Sequence, residues 1–361
     1  MSGLQELCSS IYNDLRERFP NQRDTQRRKL SELSSAVLLC QSPNLMEISN
    51  VLDRPTDCED ARYNYVERFL KNPLVKPDEV MSFFAKDLLS RLSKHQSSLV
   101  LMIDQTKIND RLELLMVSIR MQKRALPILW CAKETKGNIG FEHQKALLDV
   151  ISSWIPKDVG VMLSGDRFYG SAALIQWCQT HEWQYRLRLK GNFKVYQRQG
   201  PEKNLETLHK EGVKAIEGAR FVMGVTTSVG MLHEKGHKEP WFIAMDCKPT
   251  KYRTLDYGMR WGIENMFADF KSRGFCLTQT QIRLADRLER LLLVISIAFH
   301  WAVSVGLAVK KKETLRPKGW TVKKEKDHVF HFLNAAFANS KNISQWTKNH
   351  HLYGFIQTDG C

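Results

Sequence analysis

Residues 99–134 read LVLMIDQTKINDRLELLMVSIRMQKRALPILWCAKE. Three apolar runs, 99–104, 112–120 and 125–134, are separated by the polar turns KINDR and MQKR. Short apolar runs broken by polar turns predict a three-stranded antiparallel meander. Pro127 lies inside the third run and has no N–H to give a ladder, which places that strand at a sheet edge. The first run ends on a carboxylate, Asp104.

Downstream, residues 143–155 read as a helix. VGVMLSGD (159–166) is a short apolar strand that ends on a second carboxylate, Asp166. GSAALIQWCQTHEW (170–183) reads as a helix and QYRLRLK (184–190) as a fifth strand. Three antiparallel strands followed by two that alternate with helices predict an α/β fold with a mixed five-stranded sheet. Residues 191–253 are less regular, with Gly200, Gly212, Gly218, Gly224, Gly230 and Gly236. FVMGVTTSVGML (221–232) and EPWFIAMD (239–246) look like strands, so this segment reads as a β-rich insertion before helices resume at about 254.

Upstream, residues 1–95 read as helical. Residues 24–40 have helical periodicity with Asp24 as an N-cap. NLMEISNVL (44–52) and CEDARYNYVERFL (58–70) follow after short breaks. Short helices with basic faces suit a helix-turn-helix DNA-binding module, and equally any small bundle. The chain thus divides into a helical segment 1–96, an α/β segment 97–309 and a basic tail 310–361. In KKKETLRPKGWTVKKEK (310–326) eight Lys and Arg stand against two Glu, which suits a phosphate-binding arm or a solvated tail.

The bulk numbers set bounds. A chain of 361 residues is long enough for a sizeable core. Lys plus Arg is 54 against 39 Asp plus Glu, a net charge of +15, which favours a polyanionic partner, nucleic acid before anionic membrane. The eight cysteines are scattered without a CxxC pair, as expected of reduced thiols in a cytosolic compartment. LLLVISIAFHWAVSVGLAV (291–309) is long enough to span a bilayer. His300, Ser296 and Ser304 interrupt it, so a buried core helix is expected.

The chemistry concentrates in YGMRWGIENMFADFK (257–271). On a helix at roughly 100° per residue, Tyr257, Arg260, Glu264 and Lys271 fall within roughly 60° of arc. Met259, Ile263, Met266, Phe267 and Phe270 form a separate apolar stripe. Arg260 and Glu264 could be an ordinary i,i+4 surface pair. Alternatively the Glu holds a divalent metal while Tyr, Arg and Lys hold DNA phosphates. Asp104 and Asp166, each at a predicted strand end, favour the second reading, because strand ends are where α/β folds place ligands. Taken singly, Asp104 could be a turn residue and Asp166 a helix cap. Together with Glu264 they supply the oxygen ligands that two Mg²⁺ or Mn²⁺ ions need for in-line attack on a phosphodiester. Asp104 could bridge both metals, with Asp166 on one and Glu264 on the other.

The order Asp104, Asp166, Glu264, with Y-x2-R-x3-E-x6-K at Tyr257, Arg260, Glu264 and Lys271, resembles the bacterial insertion-sequence DDE transposases that carry the YREK signature. GDRFYGS (165–171) is similar to that family's Asp-Arg-Gly-Phe element, with Phe168 where a glycine is frequent. The resemblance covers about 97–309. It implies an RNase H-like core preceded by an all-helical DNA-end-binding domain, and cut-and-paste transposition of double-stranded DNA. It also implies a homodimer in a synaptic complex and a bacterial cytoplasmic, nucleoid-associated setting without a membrane. Tyr257, Arg260, Lys271 and Arg167 become DNA-contact candidates, and Trp241 a candidate to stack on a flipped base, or else a core Trp in a strand. Alternatives are an RNase H-like nuclease that cuts without joining, a repurposed DNA-binding protein, and a membrane-anchored basic protein resting on 291–309 alone.

Overall fold

The computed structural model describes residues 3–56, 58–197, 201–236 and 238–314, with side chains through Gly306. The predicted tail from 315 onward lies outside the described residues.

Five helices come first: α1 (Gly3–Arg18), α2 (Asp24–Cys40), α3 (Leu45–Val51), α4 (Glu59–Lys71) and α5 (Pro77–Ser93). Local chemistry sets their ends. The Asn44 side chain accepts from Met46 N–H to cap α3. Pro77 opens α5 with Asp78 and Glu79 in its first turn, where the helix dipole favours them. Asp24 does not cap α2, contrary to expectation. The cap position is Arg23, and Asp24 is the first helical residue. Arg28 and Tyr12 claim its carboxylate, with Arg28 Nε donating at 2.6 Å and the Tyr12 hydroxyl donating from α1.

The sheet begins with the meander β1 (Ser98–Lys107), β2 (Leu112–Met121) and β3 (Arg124–Glu134). Then come α6 (Phe141–Ser152), β4 (Gly160–Gly165), α7 (Ala172–Thr180) and β5 (Gln184–Arg188). The insertion follows as β6 (Lys194–Val195), β7 (Lys203–Asn204), α8 (Leu205–Lys210), β8 (Ala215–Arg220), β9 (Thr226–Leu232) and β10 (Trp241–Met245). The main sheet has the order β3-β2-β1-β4-β5-β10-β9-β8. β1 pairs parallel with β4 and β4 with β5, while the other neighbours are antiparallel. β3 is at the edge, and the register slips beside Pro127, which faces Ser118.

Two expectations need correcting. The sheet has eight strands, not five, because β10 pairs with the edge that β5 would otherwise expose, and β9 and β8 follow. Asp104 is not at a strand end either. β1 runs on to Lys107 against β2, while its pairing with β4 stops at Ile103–Gly165. Asp104 therefore sits where β1 and β4 part.

Adjacent β1 residues serve opposite faces of the sheet. Gln105 accepts from Ile139 N–H just before α6, whereas Asp104 and Thr106 meet the segment after the insertion. That segment runs from α9 (Lys251–Leu255) through α10 (Trp261–Ala268) to α11 (Ala285–Thr314). The helix at Ala285–Gly306 is long and apolar enough to cross a membrane, but 89% of its apolar window is buried inside the fold. Glu289 accepts from Ala132 N–H of β3, Ser34 of α2 donates to the Val294 carbonyl, and Arg290 donates to the Leu70 carbonyl. These bonds hold the N-terminal helices and the sheet to one helix, and one apolar core runs through both. Among the described residues the cysteines are free thiols.

His300 is buried in this helix, its Nε2 donating to the Pro127 carbonyl at 2.8 Å. Burial pushes its pKa down to about 4, against an ordinary value of 6.5. The unfolded chain therefore binds a proton that the fold refuses, and stability present above pH 6.5 is lost as pH falls toward 4. The loss attributable to His300 reaches about 3 kcal/mol. Urea unfolding of the wild type and His300→Gln across this range should show the steeper decline in the wild type. Parallel declines would mean that His300 is charged freely within the fold.

Candidate active site

Where β1 and β4 separate, their side chains are no longer shared with a neighbour strand, and a ligand can approach. Asp166 is the first residue after β4. Its Oδ1 accepts from Phe168 N–H at 2.8 Å, which folds the chain into a turn. The helix after it is capped by Ser171, whose hydroxyl accepts from Leu174 N–H. Asp166 is thus spared the capping role. The turn lies so close to β5 that a Cβ on Gly170 would stand 2.2 Å from the Arg188 carbonyl oxygen. The backbone at Phe168 has no positive φ, so the loss of the frequent glycine costs no strain there.

Residues 256–273 are not one uniform helix. Asp256–Arg260 is a 3₁₀ turn, Trp261–Ala268 is α-helical, and Asp269–Arg273 widens into a π turn. The π turn accompanies a buried polar group: Asp269 is 3% exposed and pairs with Arg124 of β3 at 3.7 Å. Ile263, Met266, Phe267 and Phe270 are buried as the apolar stripe. Gly262 lets the helix approach β3, since a Cβ there would come within 3.1 Å of the Arg124 backbone.

The polar stripe faces β1. Arg260 is its centre, 7% exposed. Its Nε donates to the Tyr257 hydroxyl at 3.1 Å and one terminal nitrogen donates to Asp104 Oδ2 at 3.0 Å. The other terminal nitrogen donates to Glu264 Oε1. Lys271 Nζ donates to Thr106 Oγ1 at 3.0 Å, two residues along β1 from Asp104. The change of winding therefore leaves all four signature residues on the sheet side.

Burial drives the Asp104 carboxyl up to about 7; Arg260 opposes this, and the negative charges of Asp166 and Glu264 add to it. Burial alone would lower the Arg260 guanidinium, but Tyr257, Asp104, Glu264 and Asp166 together raise it. Three carboxylates thus act on one another around one internal cation. The Tyr169 hydroxyl is buried beside them without a hydrogen-bond partner among the described residues, and burial together with Asp104 and Asp166 raises its pKa. Such a group suits a site completed by water or an ion.

The donors are all oxygen, which fits a hard divalent cation. Among the described residues no three His, Cys, Asp or Glu side chains converge into a metal cage. The cause is Arg260, which holds Glu264 on its own flank. Two other candidates stand apart. Arg167 is half exposed and pairs with Glu239 at 3.3 Å. Trp241 is not a free stacking platform: it is 4% exposed in β10, with Tyr257 and Trp261 edge-on at ring distances of 5.2 and 6.1 Å. Reading the sequence missed Thr106, the partner of Lys271, and Tyr169. Their signals were the alternation of β1 and the Asp-x-x-Tyr spacing, neither of which specifies a partner.

A meander continued by two parallel strands in the order β3-β2-β1-β4-β5 defines an RNase H-like fold. Residues 140–301 match the family model of the transposase DDE domain. Over that span the chain is a transposase DDE domain, which supports a transposase function. Asp166, Tyr257, Arg260, Glu264 and Lys271 lie inside the matched span, and Asp104 lies before it. Among curated proteins no match is found.

The close approach at Gly170 is testable. Gly170→Ala should lower the unfolding free energy by about 1–3 kcal/mol, since backbone has to move to admit the methyl group. Denaturant titration reads the change. A loss under about 0.5 kcal/mol would show that the Asp166 turn has room.

Proposed function

We propose that the chain is a DNA transposase that cuts at the ends of a mobile element and joins the freed ends to target DNA. The observation that carries this is the single buried guanidinium of Arg260, bonded to both Asp104 and Glu264, at the fork that also carries Asp166. A carboxylate cluster beside cations is what hydrolysis and transesterification of a phosphodiester require.

In this reading Asp104, Asp166 and Glu264 would hold two divalent ions, Mg²⁺ or Mn²⁺. When bound, such ions supply an activated attacking oxygen and neutralise charge at the leaving oxygen. The chain's own residues do the rest. Tyr257 fixes the guanidinium of Arg260 by accepting from Nε, so that its planar fork is pre-oriented toward phosphate oxygens. Lys271 adds a point charge farther along β1, where the DNA backbone would continue. Arg167 supplies a further cation next to Asp166.

The net charge of +15 supports non-specific attraction of DNA. The helices of 1–96 would bind the element's ends, 97–309 would carry the chemistry, and the basic stretch 310–361 would add backbone contacts. The resemblance to insertion-sequence transposases also carries a homodimer in a synaptic complex and a bacterial cytoplasmic, nucleoid-associated setting.

The direct test is cleavage of DNA bearing the ends that flank the protein's own gene, in Mg²⁺ or Mn²⁺. Asp104→Asn and Glu264→Ala should each slow cleavage by about 10³-fold or more, roughly 4 kcal/mol of barrier, with end-binding changed little. Loss of binding and cleavage together would remove Asp104 and Glu264 from the chemistry. A strand-transfer assay with the same DNA separates a transposase from a nuclease that does not join.

Lys271→Ala should weaken DNA binding and flatten the plot of log affinity against log salt by a slope of about 1. An unchanged slope would make Lys271 a structural partner of Thr106 and nothing more.

A further inference from the structure

Beside the aspartate fork lies an open cavity of about 530 Å³. Phe168, Arg167, Arg188, Lys190 and Glu239 are among its lining residues. Phe168 is 52% exposed, a large apolar ring left in solvent two residues after Asp166. Its position is fixed by the turn, because its own N–H binds the Asp166 carboxylate. The Lys190 ammonium lies over the ring, 5.8 Å from its centre. Arg167 and Arg188 both reach Glu239, at 3.3 and 3.4 Å.

We propose that this cavity receives an unpaired nucleotide of the DNA next to the cut, its base on the Phe168 ring and its phosphate on Arg188 and Arg167. The proposal rests on the reading of the chain as a transposase. An exposed aromatic flanked by cations matches the two halves of a nucleotide, a flat apolar face and an anion. A phosphate alone has no use for the ring, and a base inside a duplex offers it no free face. The carboxylate now on the two arginines is itself 62% exposed on its side chain, and such surface pairs contribute little, so a phosphate displaces it readily. The cavity is of the size that ligand sites occupy. Trp241 cannot serve in its place, since it is buried under Tyr257 and Trp261. A glycine at 168, as the Asp-Arg-Gly-Phe element has, would offer no ring, so this feature belongs to the present chain.

The test compares affinity for two DNAs from the element's end, one fully paired and one with an unpaired nucleotide at the cleaved position. The wild type should prefer the unpaired end by about 5- to 100-fold. Phe168→Ala should abolish that preference and leave affinity for the paired DNA within about twofold, whereas Phe168→Trp should keep it. In parallel, 5-iodouracil at the unpaired position should photo-crosslink to the peptide containing Phe168. Equal affinities for both DNAs, or a crosslink placed elsewhere with binding intact, would overturn this inference alone. No binding to either DNA would overturn the transposase reading and this inference with it.

Discussion

The structure depends on one buried ion cluster. Arg260 is 7% exposed, and its guanidinium is the charge that lets Asp104 and Glu264 stand near Asp166 without a ligand. Carboxylates crowded away from water resist ionisation unless a cation lies among them. Asp104 shows the strain of this arrangement: burial outweighs Arg260 and holds its carboxyl near 7. Everything around the cluster serves to bring Arg260 to β1. Gly262 admits α10 close to β3, Tyr257 engages the remaining nitrogen, and Trp241 supports the Tyr257 ring from β10.

The insertion is therefore part of the site's foundation. Its last strand pairs directly with β5, so the main sheet continues beneath the segment that carries Tyr257. Trp241, Ile243, Met245 and Tyr257 form a small core of their own there. Arg186 at the end of β5 donates to Asp246 and to the Arg253 carbonyl, tying the strand to the start of that segment. The rigidity of the signature residues comes from these contacts and not from one long helix. The break into 3₁₀, α and π windings is compatible with function because each piece is anchored separately.

Much of this was legible in the sequence, for definable reasons. The meander could be read because its apolar runs and polar turns are short and regular. Pro127 located the edge because it lacks a donor. The four signature residues could be grouped because any helical winding near 3.6 residues per turn brings them to one side. What could not be read depends on partners distant in sequence. The addition of β8–β10 to the sheet requires knowing that β5 exposes an edge. The extension of β1 past Asp104 is set by β2, with Lys107 opposite Glu113, although Gln105, Thr106 and Lys107 look like the start of a turn. Asp24 looked like a cap because its type suits one, but Arg28 and Tyr12 compete for its carboxylate. Trp241 could be placed in a strand but not on a face, and the face decides whether it stacks on a base or holds up Tyr257.

The same cluster also selects the kind of ligand. A guanidinium has five N–H donors. Three of them are engaged here, by Tyr257, Asp104 and Glu264, which leaves two. An incoming phosphate can take those two without first breaking the existing bonds. Each additional bond then draws on the donors that hold the carboxylates, because their oxygens and those of the phosphate compete for one planar fork. A neutral ligand brings no charge to that competition and a cation is repelled by Arg260. The site as built thus favours an anion at Arg260 and, once the carboxylates loosen from it, a hard cation among them. A phosphodiester accompanied by divalent metal meets both demands at once, and for this physical reason the geometry supports phosphodiester chemistry over simple anion binding.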